Sequence, residues 1–181
     1  MTTQPAILVV TGASGAGKTT LVRALDAMRI PGVGCFELDS MEVPSAEEMM
    51  ERWGGTMEWQ NVATRYWIER LLRNDGGHEV AVLDGQVRPS EVRAAFTSLG
   101  ARVGGVTLVD CEADERNARL RGPRGQPDLV SGQMDGWAAY LRGQCDALDL
   151  PRIDTSGRTT ADCVAELAAQ VEALRRLRAA E

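Results

Sequence analysis

The sequence predicts a single α/β domain in three layers (α/β/α), with a five-stranded parallel sheet between two layers of helices. Short apolar runs alternate along the chain with segments whose apolar residues recur every three or four positions. Such alternation is typical of parallel strands joined by helical crossovers. With 181 residues, 44% of them hydrophobic, the chain has enough apolar side chains for one core. The predicted strands are residues 6–10, 33–38, 79–84, 103–109 and 151–155.

The predicted helices follow from the apolar spacing and from start and stop residues at their ends. Ser45 and Glu48 form a capping-box pattern at the start of one helix, and the glycines after Trp53 end it. Trp67 lies on the apolar stripe of the next helix and is predicted to be core. Trp53 is predicted either to line a ligand pocket or to cover the core edge. The predicted helices are residues 21–28, 44–52, 56–71, 89–99, 112–121, 131–148 and 159–178.

A glycine-rich loop follows the first predicted strand and precedes the first predicted helix. Residues 12–19 match the pattern G-x-x-x-x-G-K-[ST] of the phosphate-binding loop, or P-loop. In this motif, backbone N–H groups at a helix N-terminus surround a chain of phosphates. The pattern predicts that Lys18 contacts the β- and γ-phosphates and that the Thr19 hydroxyl ligates Mg²⁺. The predicted fold is therefore the P-loop NTPase fold. The predicted nucleotide-binding residues of the loop are Gly12, Ala13, Ser14, Gly15, Ala16, Gly17, Lys18, Thr19 and Thr20.

The use of lysine supports this interpretation of the loop. Lys18 is the only lysine among the 20 basic residues of the chain. A general preference for arginine explains the other basic positions but not this exception. Lysine carries a compact ammonium group, whereas the guanidinium group of arginine is larger and planar. The retained lysine indicates a site in which a small cation must fit between phosphates.

Two aspartates follow predicted strands and are candidate site residues. Asp84 ends the third apolar run, which is the position of the Walker B aspartate that holds Mg²⁺ in P-loop proteins. Asp39 follows the second run, and the carboxyl ends of parallel strands share one edge of a sheet. Asp84 is therefore predicted to be a metal ligand beside Thr19. Asp39 is predicted either to face the acceptor of a reaction or to cap a turn.

Arginines cluster at the end of the predicted helix 112–121 and in the loop that follows it. One interpretation is a solvated face whose cations favour a helix C-terminus. The other is a short mobile lid, about residues 119–131, which brings guanidinium groups onto a transferring phosphoryl group and excludes water. In the second interpretation Arg119 and Arg124 contact the nucleotide. The clustered residues are Arg116, Arg119, Arg121 and Arg124.

Composition and charge argue against several classes of partner. The net charge is −6 and the chain has no dense basic patch, so nucleic acid is not an expected partner. No apolar run approaches the ~18 residues of a membrane span, and no export signal is evident. The cysteines lack the close spacing of a metal site and are expected to be reduced thiols of a cytoplasmic protein. They are Cys35, Cys111, Cys145 and Cys163.

Three short segments resemble segments of known phosphotransferases. Residues 83–88, L-D-G-Q-V-R, resemble the L-D-G-F-P-R segment of adenylate kinases, and residues 119–124, R-L-R-G-P-R, are similar to the start of the lid in that group. Residues 36–41, F-E-L-D-S-M, are similar to the F-x-V-D-S-L segment of chloramphenicol phosphotransferases. Pro123 stands where adenylate kinases have an arginine, and no long lid follows. The chain as a whole resembles the P-loop kinases of small molecules, which include the nucleoside monophosphate kinases.

The resemblance implies roles for individual residues. Arg119 would lie against the adenine ring, and Arg124 would contact phosphate. Arg88 would contact the acceptor or its phosphate group. Asp39 would deprotonate an acceptor hydroxyl, as the matching aspartate is thought to do in chloramphenicol phosphotransferases.

The predicted function is an ATP-dependent kinase that transfers the γ-phosphoryl group to a hydroxyl or phosphate group of a small molecule. ATP and Mg²⁺ are the expected cofactors, and a segment at about residues 40–72 is the expected acceptor cap. A hydroxyl acceptor is favoured because Arg52 is the only arginine between residues 40 and 60. The alternative is an adenine-nucleotide switch or regulatory ATPase without an acceptor, and the oligomeric state stays open. The predicted catalytic residues are Lys18, Asp39, Arg88 and Arg124.

Overall fold

The computed structural model of the chain describes residues 4–41 and 43–181. Strands and helices alternate through these residues, with short 3₁₀ turns at Leu38–Ser40 and Pro127–Leu129. The strands are β1 Ala6–Thr11, β2 Val33–Glu37, β3 Val80–Asp84, β4 Gly104–Asp110 and β5 Arg152–Asp154. The helices are α1 Lys18–Ala27, α2 Ala46–Trp53, α3 Thr56–Arg73, α4 Pro89–Leu99, α5 Ala113–Arg121, α6 Gly132–Ala147 and α7 Thr160–Ala179.

All five strands pair in parallel in one sheet, in the order β2-β3-β1-β4-β5. This confirms the predicted five-stranded parallel sheet. The register places Asp84 beside Val10 on β1 and beside Glu37 on β2. The carboxyl ends of the central strands therefore end at the same level, and the loops that follow them share one edge.

Helices cover both faces of the sheet, which gives the three layers. Alternate residues of β1 point to opposite faces, as the two-residue repeat of a strand requires. Ala6, Leu8 and Val10 pack with side chains of α1 and α7 on one face. Ile7 and Val9 pack on the other face with side chains of α3 and α4. The helix α6 extends this second layer by packing against β4.

At the carboxyl edge of the sheet there is a crevice between β1 and β3, because the chain leaves these two neighbouring strands toward opposite faces. The connection after β1 enters α1 on one face, whereas the connection after β3 enters α4 on the other face. In open α/β sheets, ligands bind at such a switch point, beyond the carboxyl ends of the strands. The P-loop and Asp84 border this crevice directly.

Local capping signals act as the sequence predicts. The Ser45 hydroxyl accepts a hydrogen bond from the Glu48 backbone N–H at 3.2 Å, and the Glu48 carboxylate accepts one from the Ser45 N–H at 2.9 Å. Trp67 is buried, and its Nε1 donates to the Leu38 carbonyl at 3.2 Å.

Within the described residues, no helix has the length and apolar character that crossing a bilayer requires.

Candidate functional site

The P-loop backbone leaves the helix N-terminus open to an anion. Gly17 has a φ of 104° and is the N-cap of α1, where no side chain caps the helix among the described residues. The first N–H groups of the helix therefore lack a side-chain acceptor, and the positive end of the helix dipole adds to their attraction for phosphate. Gly12 lies so close to β4 that a Cβ atom there would be 2.1 Å from the Val109 carbonyl oxygen.

Two side chains hold the loop from the side away from this opening. Arg119 Nη1 donates to the Ala16 carbonyl at 3.3 Å and to the Thr155 hydroxyl at 2.9 Å. The Thr155 hydroxyl donates to the same Ala16 carbonyl at 2.9 Å. Because the C=O and N–H of a trans peptide point in opposite directions, these contacts turn the Gly17 N–H away from Arg119. The Ala16 carbonyl is thus held toward Arg119, and the Gly17 N–H points away from it.

Lys18 is the buried cation at the centre of the loop. Its Nζ donates to the Ala13 carbonyl at 3.2 Å. Burial lowers the pKa of Lys18 below its usual value; the charge of Arg124 lowers it further, while Asp84 and Asp39 act to raise it. An anion bound in the loop would compensate the desolvated ammonium, as bound polyphosphate does in P-loop sites.

Thr19 and Asp84 form the predicted metal pair. The Thr19 hydroxyl donates to Asp84 Oδ2 at 2.5 Å. Burial raises the pKa of Asp84, although the Lys18 charge and the Thr19 hydrogen bond partly oppose this effect. The charge of the buried Asp84 carboxylate is therefore only partly compensated. Mg²⁺ prefers oxygen ligands, which the Asp84 carboxylate and the Thr19 hydroxyl both supply. This donor set fits Mg²⁺.

Two cavities adjoin the P-loop on the side of α5. One, of about 480 Å³, lies between Gly15, Thr19 and the segment Pro123–Arg124. The other, of about 180 Å³, lies between Gly17 and the loop after β5. Thr20 and Arg119 line both cavities. The predicted nucleotide-binding residues Thr20, Arg119 and Arg124 thus border open space that continues from the loop.

Asp39 lies on the same edge, in the 3₁₀ turn directly after β2. Its carboxylate is exposed and makes no hydrogen bond or ion pair with the described residues. Its charge nevertheless raises the pKa of both Lys18 and Asp84. The structure shows no contact that would support Asp39 as a turn cap. Its carboxylate is available to a ligand near the buried charges of Lys18 and Asp84.

Arg88 belongs to a larger cavity of about 900 Å³. This space, here called the α3–α6 cavity, lies between residues 55–60, residues 86–88 and residues 128–140. Arg88 Nη1 donates to Asn61 Oδ1 at 3.3 Å, and the guanidinium carbon lies 5.6 Å from the centroid of the Trp137 ring. Gln86 also lines the cavity, and its Oε1 accepts from the Ser14 hydroxyl at 3.1 Å. The Gln86 side chain therefore connects the P-loop with the α3–α6 cavity.

Comparison with solved structures identifies relatives in fold. A gluconokinase from Sinorhizobium meliloti 1021 matches with a TM-score of 0.61 and 16% identity, over 95% of this chain and 94% of that one. A tunicamycin resistance protein from Deinococcus radiodurans matches with a TM-score of 0.63 and 21% identity, over 93% and 96% of the two chains. A shikimate kinase from Acinetobacter baumannii, in complex with shikimate, matches with a TM-score of 0.52 and 18% identity over 95% of each chain. No protein-family model and no curated protein sequence matches the chain.

The chain has the P-loop kinase fold. Its matches extend over nearly the whole length of each relative, so the likeness is one of the whole fold. This confirms the predicted P-loop α/β/α fold. The lid at residues 119–131 and the cap at 40–72 stay predictions, and Glu42 of the cap lies outside the described residues.

Trp53 and Arg88, two residues with possible site roles, border different cavities. Trp53 packs at the edge of a small cluster with Met49 and Trp59 and lines a further cavity of about 370 Å³. Arg88 does not line that cavity, so Trp53 and Arg88 border different spaces. Arg116, which the sequence assigned either to a solvated charged face or to a mobile lid, is buried. It packs below the P-loop.

Several site residues were not anticipated from the sequence. Gln86 was noticed only as a difference from adenylate kinases, and it contacts the P-loop. Gln60 Nε2 donates to the Gln86 carbonyl, which fixes the start of α3 beside the loop. Trp137 and Tyr140 lie in the predicted helix 131–148, where Trp137 was assigned to packing by its spacing and Tyr140 was given no role. The signal that could have identified them is an aromatic pair three residues apart on a helix that begins beside the loop after α5.

Proposed function

We propose that the protein is an ATP-dependent kinase that phosphorylates a hydroxyl group of a small molecule. The observation that carries this proposal is the contact between Ser14 and Gln86. It joins a P-loop, open to a polyphosphate, to a separate cavity of about 900 Å³ that could hold an acceptor. A donor site and an acceptor site side by side are what phosphoryl transfer requires, because the reaction depends on alignment and charge stabilisation.

The P-loop amides and Lys18 would bind the β- and γ-phosphates of ATP. Thr19 and Asp84 would hold Mg²⁺, which would neutralise part of the phosphate charge. Arg124, beside the loop, would stabilise the charge that develops on the transferring group. Arg119 would hold the loop and border the base.

Asp39 would act on the acceptor. In the proposed step the acceptor hydroxyl gives its proton to the Asp39 carboxylate, and its oxygen forms a bond to the γ-phosphorus. The bond from that phosphorus to the bridging oxygen breaks, and ADP leaves. Arg88 would position the acceptor from the α3–α6 cavity.

The fold relatives support this class of reaction. They include a gluconokinase, a shikimate kinase and a sugar kinase, whose names indicate hydroxyl acceptors. A thymidylate kinase also matches, with a TM-score of 0.57 and 12% identity. A nucleoside monophosphate acceptor would require several arginines around its phosphate, whereas among the described residues Arg88 is the only basic one that lines the α3–α6 cavity.

The alternative function is an adenine-nucleotide switch or regulatory ATPase. A switch needs the P-loop and metal site but no acceptor cavity. The two functions differ in whether ADP release depends on a second small molecule.

The experiment is a measurement of ADP release from Mg-ATP with and without a panel of hydroxylated metabolites. We expect release that depends on the acceptor, and Lys18→Ala should reduce it by about 100-fold or more. Lys18→Arg is the matched variant that keeps the charge, and it should be nearly as defective because the guanidinium does not fit the buried position. Slow hydrolysis that no acceptor stimulates would favour the switch.

A further inference from the structure

Gln86 lies at the junction between the P-loop and the α3–α6 cavity. It follows the end of β3, lines the cavity, and its Oε1 accepts the hydrogen bond from the Ser14 hydroxyl at 3.1 Å. In the proposed reaction the γ-phosphoryl group faces the acceptor, because transfer requires the attacking and leaving oxygens to lie in line with the phosphorus. Gln86 therefore lies at the boundary that the transferred group crosses.

The backbone on both sides of Gln86 is held by hydrogen bonds to β1. The Gly85 N–H donates to the Val10 carbonyl at 3.1 Å. The Thr11 hydroxyl accepts from the Val87 N–H at 3.2 Å and donates to the Val87 carbonyl at 2.6 Å. Thr11 and Val87 are both fully buried, so water does not compete for these bonds. The position of Gln86 is thus fixed without a ligand.

The side chain of Gln86 is oriented by the P-loop and keeps one donor free. Gln60 Nε2 donates to the Gln86 carbonyl, and the Ser14 hydroxyl occupies Oε1 of the side chain. The Nε2 group of Gln86 makes no hydrogen bond with the described residues. Because an amide group is planar, holding its oxygen restricts the directions in which its two N–H groups can point. The half-buried Gln86 therefore presents an oriented donor beside the P-loop.

The cations near the P-loop leave the cavity side of the loop to this donor. Arg88, the basic residue of the cavity, donates to Asn61 and lies over the Trp137 ring. Arg124 borders the loop from the opposite side, in the cavity of about 480 Å³ next to α5. Uncharged donors that are held in place before the reaction can stabilise negative oxygens as effectively as the backbone amides of an oxyanion hole.

Resting on the proposed kinase function, we infer that Gln86 Nε2 donates a hydrogen bond to the γ-phosphoryl group of ATP. Ser14 acts through Gln86 as a positioning residue, because its hydroxyl fixes the orientation of the amide. Only ATP carries a γ-phosphoryl group, so this contact lets the protein distinguish ATP from ADP. It also holds the transferred group at the mouth of the α3–α6 cavity.

Calorimetric titration with nucleotides tests the inference without an acceptor. The probes are the Mg²⁺ complexes of ADP and of AMP-PNP, an ATP analogue with a non-hydrolysable link to its γ-phosphoryl group. Gln86→Met keeps the length of the side chain and removes the amide, so Kd should rise by about 10-fold for AMP-PNP and by less than about 2-fold for ADP. Gln86→Glu keeps an acceptor for Ser14 but brings a carboxylate to the phosphate, and Kd for AMP-PNP should rise by about 30-fold or more.

Gln133→Glu is the matched control for the added charge. Gln133 lines the same cavity and is exposed, and it makes no hydrogen bond with the described residues. Its substitution should leave the ratio of Kd for ADP to Kd for AMP-PNP unchanged. An unchanged ratio in the two Gln86 variants, or an equal change in Gln133→Glu and Gln86→Glu, would overturn the inference but leave the kinase function standing. A wild-type protein that binds neither nucleotide would contradict both.

A double-mutant cycle tests whether Ser14 acts through Gln86. Ser14→Ala should lower the ratio of Kd for ADP to Kd for AMP-PNP by about 3-fold, because the amide loses the contact that orients it. In the Gln86→Met background the same substitution should have no further effect on this ratio. A loss of equal size in both backgrounds would overturn the positioning role of Ser14, since the hydroxyl would then act independently of Gln86.

Discussion

The ion pair between Arg116 and Asp135 gives the sharpest prediction for stability. The Arg116 side chain is 1% exposed, and its Nη2 donates to Asp135, whose side chain is 51% exposed. The Nε and Nη1 atoms of Arg116 have no hydrogen-bond partner among the described residues. A Cβ atom on Gly15 would lie 2.9 Å from Arg116 Cγ, so the arginine packs directly below the P-loop. Asp135→Ala would leave this buried cation without its carboxylate.

The size of the effect follows from the burial of the two partners. Removing one partner of a fully buried pair costs about 3–5 kcal/mol of unfolding free energy. Because Asp135 is half exposed and water can solvate part of the site, we expect about half of this, ~1.5–2.5 kcal/mol. For a domain of this size, 1 kcal/mol corresponds to a shift of about 2–4 °C in Tm, so Tm should fall by ~3–10 °C.

A double-mutant cycle with a surface control separates the charge effect from general damage. Arg116→Met removes the charge and keeps an apolar side chain, and Asp135→Ala should cost much less in that background. The control is Glu69→Ala, since Glu69 pairs with Arg73 and their side chains are 50% and 61% exposed. Thermal unfolding should show a loss below about 0.5 kcal/mol for that control. The reasoning fails if Asp135→Ala costs no more than Glu69→Ala, or costs as much with Met at position 116.

Three further predictions concern the P-loop edge. Gly12→Ala should lower the free energy of unfolding by about 2–4 kcal/mol and abolish the rise of Tm with Mg-ATP, because its Cβ would overlap the Val109 carbonyl. Gly143 lies in open space on α6 and is the control, since Gly143→Ala should instead raise the free energy of unfolding by about 0.5–1 kcal/mol. Asp39→Asn should leave ATP affinity by calorimetry unchanged and reduce acceptor-dependent ADP release by about 100-fold; lost ATP binding would assign Asp39 to the metal site. Burial raises the pKa of Asp84 in the folded protein. The protonated carboxyl group therefore favours the folded state below the unfolded pKa of 3.8, and this stabilisation is lost as the pH rises through the folded pKa. Asp84→Asn should therefore raise the Tm of the nucleotide-free protein at neutral pH, and this gain should shrink toward pH 3.8; a gain that does not vary with pH would contradict the assignment.

The fold was predictable because each element carries its own local signal. The third strand was expected at 79–84 and forms at Val80–Asp84, since an uninterrupted apolar run suits a strand buried on both faces. The last helix was expected to include Arg175, Arg176 and Arg178 in its final turns and runs to Ala179, since cations favour a helix C-terminus. Local signals of this kind do not encode the order of the strands in the sheet. The position of β3 between β2 and β1 depends on packing between distant segments.

The exposure of individual side chains was harder to predict than the elements. Val62 and Tyr66 fit the apolar stripe of α3, yet they are 50% and 46% exposed. Periodicity identifies the face of a helix, but not how far the neighbouring element extends over it. In α3 these two residues lie beside a cavity instead of under a packed helix. Arg116 shows the converse, since one of its two interpretations was a solvated face, and the side chain is buried.

The arginines around α5 illustrate why composition alone could not assign their roles. Arg116 pairs with Asp135 below the loop, and Arg119 donates to the loop carbonyls and to Thr155, so both are committed to holding the P-loop. Arg124 differs, because it is exposed and borders the cavity of about 480 Å³, where its charge lowers the pKa of Lys18. A group that stabilises a transferring phosphoryl must be able to move onto it when the substrate binds. Of these three arginines, only Arg124 combines the required position with a side chain that does not support the loop.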